Sequence, residues 1–112
     1  MKTSELTAMD GFVIAVEAEE REIQSVYCAD LLSWAMGRPP ADSAWCTVMG
    51  NVNAVAVASL ADVAAIILCE NAQLDADAEE KAKTQGICIA RCALPTFEAG
   101  LAIAKQANLY RL

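Results

Sequence analysis

The fold is decided by the segment AWCTVMGNVNAVAVASLADVAAIILC, residues 44–69. It opens with a short apolar run, residues 44–49, that is typical of a buried strand. Gly50 and Asn51 then form a turn, and Asn51 is a residue type that caps the N-terminus of a helix well. The segment closes with a second apolar run, residues 64–69, which predicts another buried strand.

The stretch between these two strands, residues 52–60, can be interpreted in two ways. The alternation of Val and Ala fits a strand, whereas the high Ala content and the preceding cap favour a helix. If the flanking strands run parallel, the chain must cross over between them, and such a crossover is usually a helix. We therefore predict a largely buried helix here.

The rest of the chain continues the pattern of apolar runs separated by turns. Further strands are predicted at residues 12–16, 23–28 and 87–92, and helices at residues 3–9, 30–36, 75–86 and 95–106. From the third strand onward, strands and helices alternate, which implies a parallel sheet with covering helices. The sequence thus predicts one α/β domain over residues 1–112, with a mostly parallel central sheet.

The composition excludes several kinds of partner. The net charge is −7 and no run of Lys or Arg occurs, so neither nucleic acid nor an anionic membrane surface is expected to bind. The longest apolar run, residues 54–69, contains Asp62 and is shorter than the about 20 residues that a membrane helix needs. Residues 1–10 lack the apolar stretch of a secretion signal. We interpret the five cysteines as reduced thiols of a cytoplasmic protein.

The chain contains no His. This removes the commonest general base and metal ligand, together with every Ser/His or Cys/His nucleophile, so we expect no catalytic residue, metal site or cofactor. Cys28, near the start of a predicted helix, could still be a reactive thiol, although the charge of Asp30 opposes the necessary fall in pKa. The simpler interpretation is that Cys28 is a small buried residue and that Asp30 caps the helix. Cys88 and Cys92 share a strand face but lie too far apart along it to bind one metal ion.

Three stretches of the chain resemble the DRTGG domain family: YCADLLSWAMG, DSAWCTVMGNVNAVAVASLADVAAIILCEN and GICIARCALPTFE. They follow the family in order and spacing over nearly the whole chain. The chain is also similar to the N-terminal domain of bacterial HPr kinase/phosphorylase, in which a strand of GIPVLR type precedes LPT; here residues 86–91 and 94–96 match these motifs. The resemblance implies an α/β fold, no catalytic activity, and a regulatory, dimerising role beside other domains such as CBS modules, phosphotransacetylase-type enzymes or a pyrophosphatase.

The residues that give the family its name fall at two predicted turns. The family's Gly-Asp-Arg is matched by Gly-Asn-Val at residues 50–52, and its Thr-Gly-Gly by Cys-Glu-Asn at residues 69–71. Of these positions, only the first Gly is retained. Glu70 would repel a phosphate group.

The ends of three predicted strands nevertheless form a candidate ligand site. Open parallel sheets bind ligands beyond the carboxyl ends of their strands, and helix N-termini there offer N–H groups to an anion. An adenine nucleotide-like anion would suit such a site, and the candidate ligand-binding residues are Gly50, Asn51, Glu70, Asn71 and Thr96. The alternative is that Asn51 and Thr96 only cap helices and that nothing binds.

The helix predicted at residues 30–36 is apolar almost all round, so it must be covered on more than one face. Trp and Met are enriched at the centres of protein interfaces. The candidate residues for a dimer contact are Leu31, Trp34, Ala35 and Trp45. The alternative for Trp34 is packing within the core of its own protomer.

Three hypotheses for the function follow. The leading one is a non-enzymatic regulatory or interaction module that forms a homodimer and could also contact another regulatory protein or enzyme. The second is a small-molecule sensor that binds an anionic ligand at the strand ends. The third is a thiol enzyme or redox sensor built on Cys28.

Overall fold

The computed structural model describes residues 1–111, which form a five-stranded sheet covered by helices on both faces. The strands are β1 (Val13–Val16), β2 (Ser25–Cys28), β3 (Ser43–Thr47), β4 (Ala65–Leu68) and β5 (Ile89–Arg91). The helices are a 3₁₀ helix (Thr3–Ala8), α1 (Leu32–Ala35), α2 (Val52–Ala61), α3 (Ala76–Gln85) and α4 (Thr96–Gln106). Every predicted element is present.

The sheet order is β1-β5-β4-β3-β2. Strands β2 to β5 run parallel, and β1 pairs with β5 in the antiparallel direction at one edge. The predicted α/β class and mostly parallel sheet are therefore confirmed. The crossover from β3 to β4 is helical, as the parallel geometry requires.

Alternation along the strands divides the core into two layers. On β3, Cys46 belongs to the layer under α4 and the 3₁₀ helix, whereas Trp45 belongs to the layer under α1, α2 and α3. On β4, Ile67 faces the first layer and Ile66 the second. Because successive side chains point to opposite faces, each strand supplies both layers, and the strands are buried on both sides.

Helix ends agree with local sequence at two positions. The Asn51 side-chain oxygen accepts a hydrogen bond from the Ala54 N–H at 2.9 Å, so Asn51 caps α2 as predicted. Helix α3 ends at Gly86, whose φ of 70° is a left-handed conformation that Gly adopts without steric cost. These two residues set the start of one covering helix and the end of another.

Two predicted caps are wrong. Leu31, not Asp30, takes the N-cap position of α1, because the Asp30 carboxylate instead accepts hydrogen bonds from the Thr47 hydroxyl at 2.8 Å and the Val48 N–H at 2.9 Å. Pro95 takes the N-cap position of α4, and Thr96 is the first residue of that helix. Asp30 therefore ties the end of β2 to the end of β3. Within residues 1–111, no helix is long and apolar enough to cross a membrane.

Candidate functional site

Gly50, at the carboxyl end of β3, lies in close backbone contact with the segment that leads into α3. A Cβ atom placed on Gly50 would lie 2.0 Å from the carbonyl oxygen of Gln73. The Gly50 carbonyl accepts a hydrogen bond from the Asp75 N–H at 2.9 Å. The side chains beneath it leave no room for a water molecule. Gly50 therefore holds two loops together, and a ligand would have no access beneath it.

Glu70 and Asn71 form the tight turn after β4. Their φ angles are 56° and 53°, and the Ala72 N–H donates to the Cys69 carbonyl at 3.0 Å, which closes a type I′ turn. Gly takes these angles freely, whereas Glu and Asn adopt them at a steric cost.

The N–H groups of this turn are occupied. Glu70 donates to the Leu94 carbonyl and Asn71 to the Cys92 carbonyl, both at 3.0 Å. The turn after β4 is thus joined to the loop that follows β5. Neither N–H is free for an anion while these bonds persist.

Arg91 is a residue at this edge that the sequence reasoning did not select. With Gly11, Val13, Asn71 and Cys92, it lines an open depression of about 340 Å³. One terminal nitrogen, Nη2, donates to the Ala72 carbonyl at 2.9 Å, while its buried Nε has no hydrogen-bond partner among the described residues. The signal that could have found Arg91 is a cationic residue at the last position of an otherwise apolar strand.

The five candidate ligand residues do not line one cavity. Gly50 and Asn51 lie against the layer of α2 and α3, and Asn71 lies at the Arg91 depression near β1. Thr96 offers its backbone carbonyl to the thiol of Cys28 at 3.5 Å. The arrangement most able to attract an anion is therefore the pair of Asn71 and Arg91.

The candidate interface residues separate into an exposed set and a buried set. Leu31 is 52% exposed, Trp34 48% and Met36 54%, and we call these three residues the Trp34 patch. The guanidinium carbon of Arg38 lies 3.9 Å from the centroid of the Trp34 ring. Trp34 is thus on the surface of the protomer, and the core-packing alternative does not describe it.

Ala35 and Trp45 cannot belong to such a surface, and their assignment to it is wrong. Both are fully buried within the protomer. The Trp45 indole N–H donates to the Ala29 carbonyl at 2.9 Å, which satisfies its one polar group inside the core. Strand alternation directs the Trp45 ring into the layer beneath α2, because its neighbour Cys46 faces the opposite layer.

Cys28 is exposed, contrary to the prediction that it is buried, whereas the other four cysteines are buried. A hydrogen bond from the Cys46 thiol stabilises the Cys28 thiolate and lowers the pKa of Cys28 to about 7. Burial and the negative charge of Asp30 raise this pKa, but their effect is smaller. The same hydrogen bond raises the pKa of Cys46. Burial raises the pKa of Cys88 and of Cys92 to about 11. Over residues 1–111, no group of three or more Cys, Asp or Glu side chains is arranged to hold a metal ion.

Comparison with known proteins finds the same fold among solved structures. The sequence matches no family model and no curated protein. One matching structure contains the CBS and DRTGG domains of the regulatory region of Clostridium perfringens pyrophosphatase, complexed with the activator diadenosine tetraphosphate. It is 16% identical, with a TM-score of 0.68, over 82% of this chain and 41% of that chain.

The chain described here thus spans less than half the length of that regulatory region. At this identity the likeness shows the fold. It confirms the DRTGG-like fold that the sequence resemblance predicted.

Proposed function

We propose that this chain is a non-catalytic regulatory module that forms a homodimer through the Trp34 patch. The observation that carries the proposal is the exposure of three large apolar side chains, Leu31, Trp34 and Met36, within six consecutive residues. A contiguous apolar surface on a folded domain is typical of a protein contact. Trp34 stacked under Arg38 adds two of the three residue types that most often dominate binding energy at interfaces.

One observation bears on how a second copy of the chain would bind. The edge strand β2 is an unsuitable route to pairing, because the Tyr110 hydroxyl bonds both the N–H and the carbonyl of Val26. A two-fold contact places the same patch on both subunits, so a mixed surface of Trp and Arg can be complementary to itself. A regulatory role is supported by the fold, which this chain shares with part of a pyrophosphatase regulatory region.

Size-exclusion chromatography with light scattering tests the dimer. The wild-type chain at micromolar concentration is expected to have twice the protomer mass, and Trp34→Glu is expected to have the protomer mass. The matched control is Phe97→Glu, because Phe97 is 71% exposed on α4, which covers the opposite face of the sheet. A wild-type monomer, or a dimer lost in Phe97→Glu and kept in Trp34→Glu, would contradict the proposal.

A second candidate function, a sensor for an anionic ligand, is favoured by the Arg91 depression. The Arg91 guanidinium, in a depression that Asn71 also lines, is suited to phosphate oxygens. The related regulatory region was solved with a dinucleotide activator. The net charge of −7 works against a polyanion, so the site would depend on Arg91 for attraction.

A thermal-shift panel of adenine nucleotides, including diadenosine tetraphosphate, tests the sensor. A true ligand is expected to raise the unfolding midpoint with concentration, and both Arg91→Gln and Asn71→Ala are expected to abolish that rise. Arg38→Gln is the control, since Arg38 lies on the Trp34 patch. If no nucleotide shifts the midpoint at millimolar concentration, the sensor is excluded.

A further inference from the structure

Four of the five cysteines form a row across the carboxyl ends of the parallel strands. Cys28 ends β2, Cys46 lies near the end of β3, and Cys69 and Cys92 follow β4 and β5 directly. The three buried members belong to the core layer under α4. Neighbouring thiols along the row influence one another's pKa, Cys28 with Cys46, Cys46 with Cys69, and Cys69 with Cys92. Cys28 is the member of the row that solvent reaches.

Cys28 and Cys46 are direct partners in the pairing of β2 with β3. Partners on neighbouring strands have Cα atoms about 4.8 Å apart with side chains on the same face, which lies inside the about 4.4–6.8 Å range of disulfides. β3 is the one strand that pairs with β2, so an S–S bond here requires adjustment of a single strand pairing. No other pair in the row combines direct strand pairing with an exposed member.

Gly100 of α4 provides the space over this pair. A Cβ atom on Gly100 would lie 3.1 Å from the Cys28 sulfur and 3.8 Å from the Cys46 sulfur. Both sulfurs therefore lie beneath the one residue of α4 that has no side chain. The Thr96 carbonyl, one turn earlier, is 3.5 Å from the Cys28 sulfur.

We propose that Cys28 and Cys46 form a reversible thiol–disulfide pair that hydroperoxides oxidise, with Cys28 as the attacking thiol and Cys46 as the resolving thiol. The Cys28 thiolate attacks one peroxide oxygen, the O–O bond breaks, and Cys28 becomes a sulfenic acid while the other oxygen leaves as hydroxide or alkoxide. The Cys46 sulfur then attacks the Cys28 sulfur, and the hydroxyl leaves with the Cys46 proton as water. Sulfur loses two electrons in total, and the peroxide gains them.

Hydrogen peroxide and intact-mass measurement test the pair in the full chain. After exposure at pH 7, the mass of the wild type is expected to fall by two hydrogen atoms. When the remaining thiols are then alkylated, two of the five cysteines should carry no alkyl group. Peptide mapping is expected to find a Cys28–Cys46 link that dithiothreitol reverses. Before oxidation, Cys28 is expected to react with iodoacetamide at least about tenfold faster than the buried thiols in the folded chain.

Three variants separate the two roles from general oxidation damage. Cys46→Ala should stop the reaction at a Cys28 sulfenic acid that dimedone traps, and Cys28→Ser should form no disulfide. Cys88→Ala is the matched control, because Cys88 is buried in the same layer but lies outside the row, and this variant should behave as the wild type. Over-oxidation of Cys28 without a link, a link that persists in Cys28→Ser, or a Cys28 no faster than Cys88 would overturn the pair.

Discussion

At the scale of single residues, Gly50 shows how a missing side chain can hold a fold together. Its Cβ position is occupied by the Gln73 carbonyl, 2.0 Å away, and backbone atoms cannot rotate aside. We expect Gly50→Ala to lower the free energy of unfolding by about 3 kcal/mol, the upper part of the range for overpacking. Denaturant unfolding followed by circular dichroism measures the change.

The control for this substitution is Gly37→Ala. Gly37 is exposed, has no atom within 4 Å of its Cβ position and does not have a positive φ. The free energy of unfolding of Gly37→Ala should stay within about 0.5 kcal/mol of the wild-type value. Equal losses at both positions would show that the contact with Gln73 is not responsible.

The lowered pKa of the Cys28 thiol predicts how its alkylation rate depends on pH. The groups facing it are the Cys46 thiol from β3, the Asp30 carboxylate from the following loop, and the Thr96 carbonyl and Gly100 of α4. Since the pKa of Cys28 is about 7, its alkylation rate should rise with pH and reach half its maximum near pH 7.

Cys46→Ala removes the hydrogen-bond donor to Cys28. In this variant, the pH at which Cys28 alkylation reaches half its maximal rate should rise toward the pKa of a free thiol, about 8.5. The pKa of Cys28 is lower in the folded chain than in the unfolded chain. Relative to Cys28→Ser, the wild type should therefore gain stability as pH rises through 7, and lose that gain on acidification. An unchanged midpoint in Cys46→Ala would contradict the role given to the hydrogen bond.

At the scale of elements, the turn after β4 carries a conformational cost. Glu70 has a φ of 56°, and a left-handed residue other than Gly costs about 1 kcal/mol. We expect Glu70→Gly to stabilise the chain by up to about 1 kcal/mol. Thermal and denaturant unfolding measure the gain.

Glu19→Gly is the matched control for the turn. Glu19 is also an exposed Glu in a connection, but its φ is not positive. There the added freedom of Gly in the unfolded chain should destabilise the fold by about 0.5 kcal/mol. If both variants lose stability, the turn carries no strain.

The short helix α1 differs most from its prediction. It has a single turn, Leu32–Ala35, and one buried residue, Ala35. Leu32 packs in the layer beneath α2. Leu31, which precedes it, and Trp34, which follows two residues later, remain on the surface. A helix this short has too few residues to bury an apolar surface on all sides, and the Trp34 patch is left exposed.

At the scale of the whole molecule, Arg21 joins the amino-terminal part of the chain to the start of two strands. Its guanidinium bonds the Asp42 carboxylate before β3 and the carbonyls of Asp62 and Val63 before β4. Asp42 and Asp62 both have positive φ angles, of 63° and 57°. One side chain thus satisfies the polar groups of two left-handed turns.

We expect Arg21→Ala to lower the free energy of unfolding by about 2–3 kcal/mol, since several charge-assisted hydrogen bonds are lost together. Arg21→Lys should recover only part of the loss, because an ammonium group cannot reproduce the planar array of donors. Arg38→Ala, which removes a surface Arg, is the control and should change the monomer little. Full recovery by Lys would indicate that charge alone matters.

How much could be predicted from the sequence depends on the range of the interactions. Asn51 caps α2 through Ala54 and Gly86 ends α3, and both effects operate within a few residues. Asp30 fits a cap equally well by its type, yet it bonds Thr47 and Val48. Its partners lie on another strand, so no local pattern could reveal them.

The sequence by itself determined the order of strands and helices, the parallel sheet and the absence of His chemistry, because apolar periodicity, caps and composition are local properties of the chain. Only the tertiary structure decided which of the two Trp residues lies at the surface, since strand alternation buries Trp45 completely, whereas Trp34 is about half-exposed. It also brought Cys28 beside Cys46 and placed Arg91 at the turn of Asn71. Those contacts depend on strand pairing between distant segments, which local sequence does not encode.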